Sequence, residues 1–541
     1  MLIRKFTPLL ALTLLFSSCS FKSNPTPVDP VDDHISPAEI SINYASLELM
    51  PGAVQQLTVT YNPENADINR ELVWGSNNPN AASVNGSGRV VIKPTASIGD
   101  TAIIYARLKN ISSILATCEI TVVSRPIAEY TLLIYMSGGN LENYFANKTE
   151  VKWSQEDPNR PWNGCGFATR SIQEILSVPN KPDDVNIVIQ TGGATRWANS
   201  SNGQYGSYNI DGTYIQRHHV GNDGKLHLDM TLPTSSMGDA LTLQPFIEYG
   251  LNYYPAQRTA LILWGEGIGI LGVCSDQYYS ERFELVDTLL VSEIFTGVHN
   301  ALNNTGHSGE KLEFIGYDCG MLVLQDYTEY LSSLFKYMIG CQEEYSSWGA
   351  GWAYAKWIDD LYAKKSTEEI LKVICDETID KHNYDSYGNL APANNNQAIA
   401  YFDLSKAEAF KGAWEYMAQQ MLSELGEPTE TSIQAFFNHM QTIKHFGGDY
   451  YYLYGEFDVK DFINKIDESV SYKAALLAAY NDLVVYSIKG QSAGNANGLS
   501  LFWPINTYTY KFPYYINDPT YSHYSYWKQL ADKFGGRGTG Y

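Results

Sequence analysis

Asp318, Cys319, Gly320 and Met321 close the apolar run "FIGYDCGM" (residues 314–321), and a cysteine at the end of such a run is a candidate nucleophile. The chemistry is demanding. The attacking species is the thiolate, which needs an imidazole base or an electropositive setting to form near neutral pH. A second apolar run, "LILWGEGIG" (261–269), ends in Gly265, Glu266 and Gly267. Glutamate, with a reference pKa of about 4.3 against about 8.5 for a thiol, is a poor base for that step. As an anion it raises the pKa of a nearby thiol, and Asp318 adds a second negative charge beside Cys319. Gly267 leaves a backbone amide of the kind that stabilises an oxyanion.

Other nucleophile and base candidates are weaker. The ten histidines are His34, His218, His219, His227, His299, His307, His382, His439, His445 and His523, and none follows an apolar run of parallel-strand type. Each is read as an ordinary surface histidine. The adjacent pair His218 and His219, in "YIQRHHVG", is the one set that suits a loop near the site. "GQSAG" (490–494) matches the nucleophile elbow of serine hydrolases, but that elbow must open a helix. The following "NANGLSLFWP" reads as loop and strand, which removes Ser492 as a nucleophile.

Metal and cofactor chemistry finds no support. Cys118, Cys165, Cys274, Cys319, Cys341 and Cys375 show no Cys-x-x-Cys spacing and no matching histidine cluster, so no zinc site is expected. Six thiols scattered along the chain read as small buried hydrophobes rather than a disulfide framework. No local Asp/Asn/Gly calcium loop is present.

The elements that must position these residues follow from the pattern along the chain. At 541 residues the chain is long enough for more than one core. Its ends are distinctive. "MLIRKFTPLLALTLLFSSCS" carries Arg4 and Lys5, a short apolar stretch and small residues before Cys19. It reads as a secretory signal (residues 1–19) too short to span a bilayer, and "FSSC" resembles a lipobox that would lipidate Cys19. Residues 20–36 are rich in Pro, Ser and Asp and read as a tether. These features imply a lipid anchor to a bacterial membrane, at the outer membrane or cell surface.

From 37 to 124 the chain turns to short alternating runs broken by turn residues, about seven strands in under ninety residues, which predicts an all-β sandwich. Beyond 128 the runs "YTLLIYMSG" (130–138), "VNIVIQTGG" (185–193), "TALILWGEG" (259–267) and "LEFIGYDCG" (312–320) alternate with helical stretches. Runs so uniformly apolar suit strands buried on both faces of a mainly parallel sheet. Ligands meet such sheets at the carboxyl ends of the strands, which singles out Ser137–Asn140, Thr191–Gly193, Gly265–Gly269 and Asp318–Met321.

Two resemblances sharpen this reading. "PGAVQQLTVTYNP", "VWGSNNPNAASV", "GSGRV" and "CEITVV" resemble the bacterial immunoglobulin-like domain of group 2, which implies a spacer or adhesive unit. "YTLLIYMSGGNLE", "NIVIQTGGATRW", "ALILWGEGIGI", "FIGYDCGMLVLQDYTEYLSSLFKYMIGCQEE", "WGAGWAY" and "NGLSLFWP" resemble the clostripain family of cysteine peptidases. That likeness covers roughly 128–541 and implies an α/β caspase-like domain cleaving after Arg or Lys. In the family pattern a histidine base stands where this chain has Glu266. The nucleophilic cysteine falls at Gly320 in the ungapped register, with the stretch up to "YMIG" read as a helix. Cys319 then takes a family alanine position, one residue out of place, and successive residues leaving a strand point in different directions. Asp318 matches a family acidic residue that recognises the basic side chain.

The expected protein is therefore a multi-domain lipoprotein whose peptidase site is degenerate and binds peptides or proteins, basic in character, without cleaving them. The alternatives are an active endopeptidase using Cys319, or an adhesive or scaffolding surface protein. With 59 acidic against 37 basic residues and a net charge of -22, nucleic acid is excluded as a partner class. The 40 tyrosines, clustered in "DYYYLYGEF" and "FPYYINDPTYSHYSYW", read first as buried mass of a large fold.

Overall fold

A computed structural model describes residues 39–66, 70–146, 166–197, 209–279, 287–343, 351–384, 390–447, 455–504 and 519–535. Cys19, the tether, His34 and Cys165 lie outside the described residues, as do the tyrosines of "DYYYLYGEF" and the first two of the second cluster, Tyr514 and Tyr515.

The first nine strands are β1 (Glu39–Ile42), β2 (Ser46–Leu49), β3 (Val54–Gln56), β4 (Val59–Asn62), β5 (Leu72–Ser76), β6 (Ala82–Val84), β7 (Arg89–Ile92), β8 (Thr101–Leu108) and β9 (Leu115–Val122). They form one sheet in the order β2-β9-β8-β5, a second in the order β3-β7-β6, and a β1-β4 pair. Alternation drives the packing: Ala102, Ile104, Ala106 and Leu108 of β8 are buried, and Thr101 and Ile103 face out. Ala102 and Ile104 join Leu47, Leu49, Val90, Ile92, Cys118, Ile120 and Val122 in a core of the module's own.

The second domain is built on a nine-stranded sheet in the order β13-β12-β11-β10-β14-β15-β16-β17-β19. Its parallel centre is β11 (Val185–Gly192), β10 (Ala128–Ser137), β14 (Ala256–Trp264), β15 (Leu312–Asp318) and β16 (Phe335–Cys341). Antiparallel strands close both sides: β12 (Ile215–Val220) and β13 (Leu226–Leu232) on one, β17 (Ala398–Asp403) and β19 (Val484–Lys489) on the other. A separate pair joins β18 (Glu456–Asp458) to β20 (Ser500–Phe502).

The all-apolar runs divide between two cores with the period of the strand. On β14, Leu261 and Leu263 enter the core beneath α3 (Ala240–Tyr253) and α4 (Val291–Asn304). Ala260, Ile262 and Trp264 enter the opposite core, beneath α2 (Phe167–Leu176), α6 (Tyr354–Tyr362) and α7 (Thr367–Lys381). Helix starts carry their own signals. Asp239 accepts from the Leu241 N–H at the start of α3, and Ser366 and Glu369 form a reciprocal capping box on α7.

Two expectations are corrected. The stretch up to "YMIG" is not one helix: a short α5 (Gln325–Tyr330) is followed by β16. A run such as "FKYMIGC" is too short and apolar for periodicity to separate a buried strand from a helix. Gly340, with Val323 and Tyr317 about 3 Å from where a Cβ would stand, allows the close packing that the strand needs. His218 and His219 are on a strand, β12 of the β12–β13 hairpin, paired against β11, and not on a loop.

Candidate functional site

The parallel register brings the two candidate runs together at one end. Trp264, the last residue of β14, lies opposite Asp318, the last of β15. The chains leaving them, Gly265–Gly267 and Cys319–Met321, therefore start side by side. Ser137, at the end of β10, joins them: its hydroxyl donates to the Ser275 carbonyl at 2.9 Å, and its own carbonyl lies close to Gly265. Thr191 and Gly192, ending β11, lie alongside Met136 and Ser137. All four predicted strand ends meet here.

The segment after β14 folds back on itself. The Cys274 N–H donates to the Glu266 carbonyl at 3.1 Å and the Ile268 N–H to the Gly272 carbonyl at 2.9 Å, around a 3-10 turn at Gly269–Leu271. Val273 bridges both Gly267 and Leu289, so this hairpin is tied to the chain entering α4. Glu266 is half-buried on the hairpin, and Gly267 stands against the other strand end. A side-chain carbon at 267 would collide with the Gly320 carbonyl and lie 3.2 Å from both Cβ and Sγ of Cys319. Glycine is needed here for space.

Cys319 is fully buried, and its side chain belongs to the core that holds Cys274, Tyr317, Leu322 and Val323. Burial pushes its thiol pKa well above the usual range, and the nearby Cys274, Asp318 and Cys341 push it further. No imidazole or cation is among these groups. Gly320 is buried in the turn that follows, and Met321 adopts a left-handed φ of 62°, unusual for a side chain with a Cβ. That turn sends Met321 into a small cluster with Ala398, Phe446, Ala493 and Ala496.

Asp318 is buried to 2% exposure, and its carboxylate is held from one side. Oδ1 accepts from the Trp352 N–H at 2.9 Å and Oδ2 from the Tyr354 hydroxyl at 2.8 Å. The Trp352 carbonyl in turn accepts from Lys381 Nζ at 2.8 Å, and Lys381 pairs with Glu174 at 3.0 Å. Gly351, with a φ of 77°, passes so close that a Cβ would lie 3.2 Å from both Asp318 oxygens. His382 meets this same segment through the Gly351 backbone, and burial lowers its pKa to about 3.

Sequence reasoning missed two participants. Cys274, with φ 61°, lies at the far end of the hairpin with its thiol directed to the Trp264 carbonyl at 3.7 Å. Glu456, fully buried on β18, brings its carboxylate against Gly269. Glu456 carries no local mark, since it reaches the hairpin from 187 positions away (269 to 456), and Cys274 joins the site only because the chain after β14 folds back on itself. Of the adjacent histidine pair, His218 reaches the β11 strand end and His219 turns to Asp229. His218 is on β12 with Nε2 3.3 Å from the Thr191 hydroxyl, and His219 Nδ1 is 2.6 Å from Asp229. Ser492 sits in the loop after β19 and bonds the Ala393 carbonyl. Among the described residues no group of three or more His, Cys, Asp or Glu side chains is arranged to hold a metal ion.

The profile of the clostripain family matches residues 159–534, and that of the bacterial immunoglobulin-like domain of group 2 matches residues 38–105. The chain is similar to clostripain of Hathewaya histolytica, 23% identical over 389 residues that span 63% of this chain and 72% of that protein. Its fold resembles a secreted C11 cysteine protease of Bacteroides thetaiotaomicron solved with an irreversible peptide inhibitor. That likeness has a TM-score of 0.52 at 13% identity, over 74% of this chain and 99% of that one. A second structure of a secreted C11 protease from the same organism aligns with a TM-score of 0.49 at 14% identity, over 70% and 94% of the two chains.

Proposed function

Because the chain belongs to the clostripain family, we propose that its peptidase-type site holds peptide or protein segments, preferentially basic ones, without cleaving them. The observation that carries this reading is the setting of Cys319: a fully buried thiol in the core that holds Cys274, Tyr317, Leu322 and Val323, directly after Asp318. Glu266 occupies the position of the family's base and cannot supply what a thiol attack requires. The same acids favour a cationic ligand. Glu266 and Asp318 stand at the carboxyl ends of β14 and β15, and the chain as a whole carries a charge of -22.

Fluorescence anisotropy with short Arg- and Lys-containing peptides, read beside product analysis of the same samples, tests the proposal. Saturable binding with the peptide intact is the expected result. Glu266→Gln, at the half-buried acid of the hairpin, is expected to weaken that binding about tenfold, as loss of one charge-assisted contact would, and Asp318→Asn to weaken it less, because both Asp318 oxygens are already bonded to Trp352 and Tyr354. Turnover of the peptide, or covalent labelling by an Arg- or Lys-directed electrophilic peptide that disappears in Cys319→Ala, would overturn it in favour of an active endopeptidase.

The signal-like start and Cys19 extend the proposal to a place of action. The protein is held by lipid at the cell envelope, and Cys19→Ser should move it from the membrane fraction to the soluble one.

A further inference from the structure

The immunoglobulin-like module does not hang free of the second domain. It sits on the carboxyl-terminal ends of α3 and α4, and the contact is polar and desolvated. Gln55 of β3, 2% exposed, uses both ends of its amide: Nε2 donates to Glu248 at 3.0 Å and Oε1 accepts from Asn252 at 2.7 Å. Glu248 and Asn252, both on α3, are 3% and 4% exposed. The other Glu248 oxygen accepts from Gln244 at 2.8 Å and from Asn304, at the end of α4, at 2.7 Å. One buried carboxylate thus ties the module, α3 and α4 together. Removing one donor from such a network costs more than an exposed contact would, because the buried charge loses its compensation.

The rim repeats the pattern. Arg89 donates to the Asn303 carbonyl at 2.7 Å, and Val54 packs on Gly306 just beyond α4. The Glu48 N–H donates to the Tyr253 hydroxyl oxygen at 3.3 Å. Arg125, in the connection between the domains, lies 4.6 Å from the Tyr253 ring centroid and pairs with Glu48 at 3.0 Å.

The opposite ends of the same two helices support the site hairpin. Just before α3, the Met237 N–H donates to Asp276 at 2.9 Å, and Gly238 packs on the backbone of Asp287 and Thr288. Leu289, next to the start of α4, exchanges two backbone hydrogen bonds with Val273, at 2.8 and 3.0 Å, and Val273 bridges Gly267. We propose that the module is a docked brace: an interaction surface on the carboxyl ends of α3 and α4, filled by the chain's own immunoglobulin-like domain, which holds the Gly267–Leu289 ladder of the site in place. This holds whether or not the site cleaves peptides.

Hydrogen–deuterium exchange on the full chain tests it, with Gln55→Ala, Asn252→Ala and Ser41→Ala compared to the parent protein. Ser41, exposed on β1 and bonded to Thr60, is the control. Gln55→Ala and Asn252→Ala are each expected to speed exchange about tenfold at the carboxyl ends of α3 and α4 and at the Val273 and Leu289 amides, with Ser41→Ala unchanged. Unaltered exchange at those ends would overturn the docking, and a change confined to the near ends would overturn the brace. If Gln55→Ala does not fold, Arg89→Ala at the rim of the same surface gives the same two readings.

Discussion

At Cys319 the penalties on the thiolate add. The sulfur loses water on burial, and Cys274, Asp318 and Cys341 stand near it. Alkylation by iodoacetamide at pH 8, mapped by mass spectrometry, is therefore expected to leave Cys319 unmodified in the native protein and to reach it after unfolding in urea. Rapid native alkylation would refute the buried-thiol picture. His218 shows the opposite charge logic. Burial favours its neutral form and lowers its pKa from the usual 6.5 to about 4. Its unfolded form takes up a proton below about 6.5, while the folded form resists until about pH 4. Its contribution is thus complete at neutral pH and is lost as pH falls through that window, a loss of about 3 kcal/mol at most. His218→Gln keeps a hydrogen-bonding partner for Thr191 and should flatten the fall in urea midpoint between pH 7 and pH 5. An unchanged slope would show that other groups set it.

Among the elements, the hairpin between β14 and α4 carries the tightest constraint. Gly267 backs directly onto the Gly320 carbonyl and the Cys319 side chain, so the two strand ends fit only without a Cβ at 267. Gly267→Ala is expected to cost about 1–3 kcal/mol, the range for overpacking a close contact. It should also raise the alkylation rate of Cys319 by forcing the strand ends apart. A variant with parental stability and a protected thiol would show that the contact relaxes freely. The cap of α7 is a simpler case. Ser366→Ala removes the side chain that accepts from the Glu369 N–H and should lower stability by about 1 kcal/mol in a denaturant titration.

At the level of the whole molecule, charge and architecture act together. The chain carries a net charge of -22 and the candidate site holds Glu266, Asp318 and Glu456, so the basic peptide of the proposed function would be drawn in from a distance. Its association rate should fall about tenfold or more as sodium chloride rises from about 20 mM to about 500 mM, because the screening length shrinks to a few ångströms. Stopped-flow mixing measures this, and a salt-independent rate would remove long-range attraction from the account. The same scale holds the docked module, whose polar contact with α3 and α4 joins two separately cored domains.

Much of the architecture is written locally. The sandwich of the first domain is legible from alternation, as on β8, and the parallel centre from four runs too apolar to face water. Glu266, Gly267, Asp318, Cys319 and Gly320 are legible as a site because strand ends are where such a sheet exposes its loops. What the sequence by itself determined was thus which strand ends come together and how poorly a glutamate serves a thiol. The rest depends on contacts between distant positions. β16 needed its neighbours to be told from a helix, and His218 needed β11 to be drawn into a strand. Glu456 approaches Gly269, Trp352 and Tyr354 occupy Asp318, and Gln55 reaches Glu248, each from far along the chain. Side-chain direction, burial and domain docking are properties of packing. For that reason only the tertiary structure decided that the Cys319 sulfur lies in the core and that the first domain rests against the second.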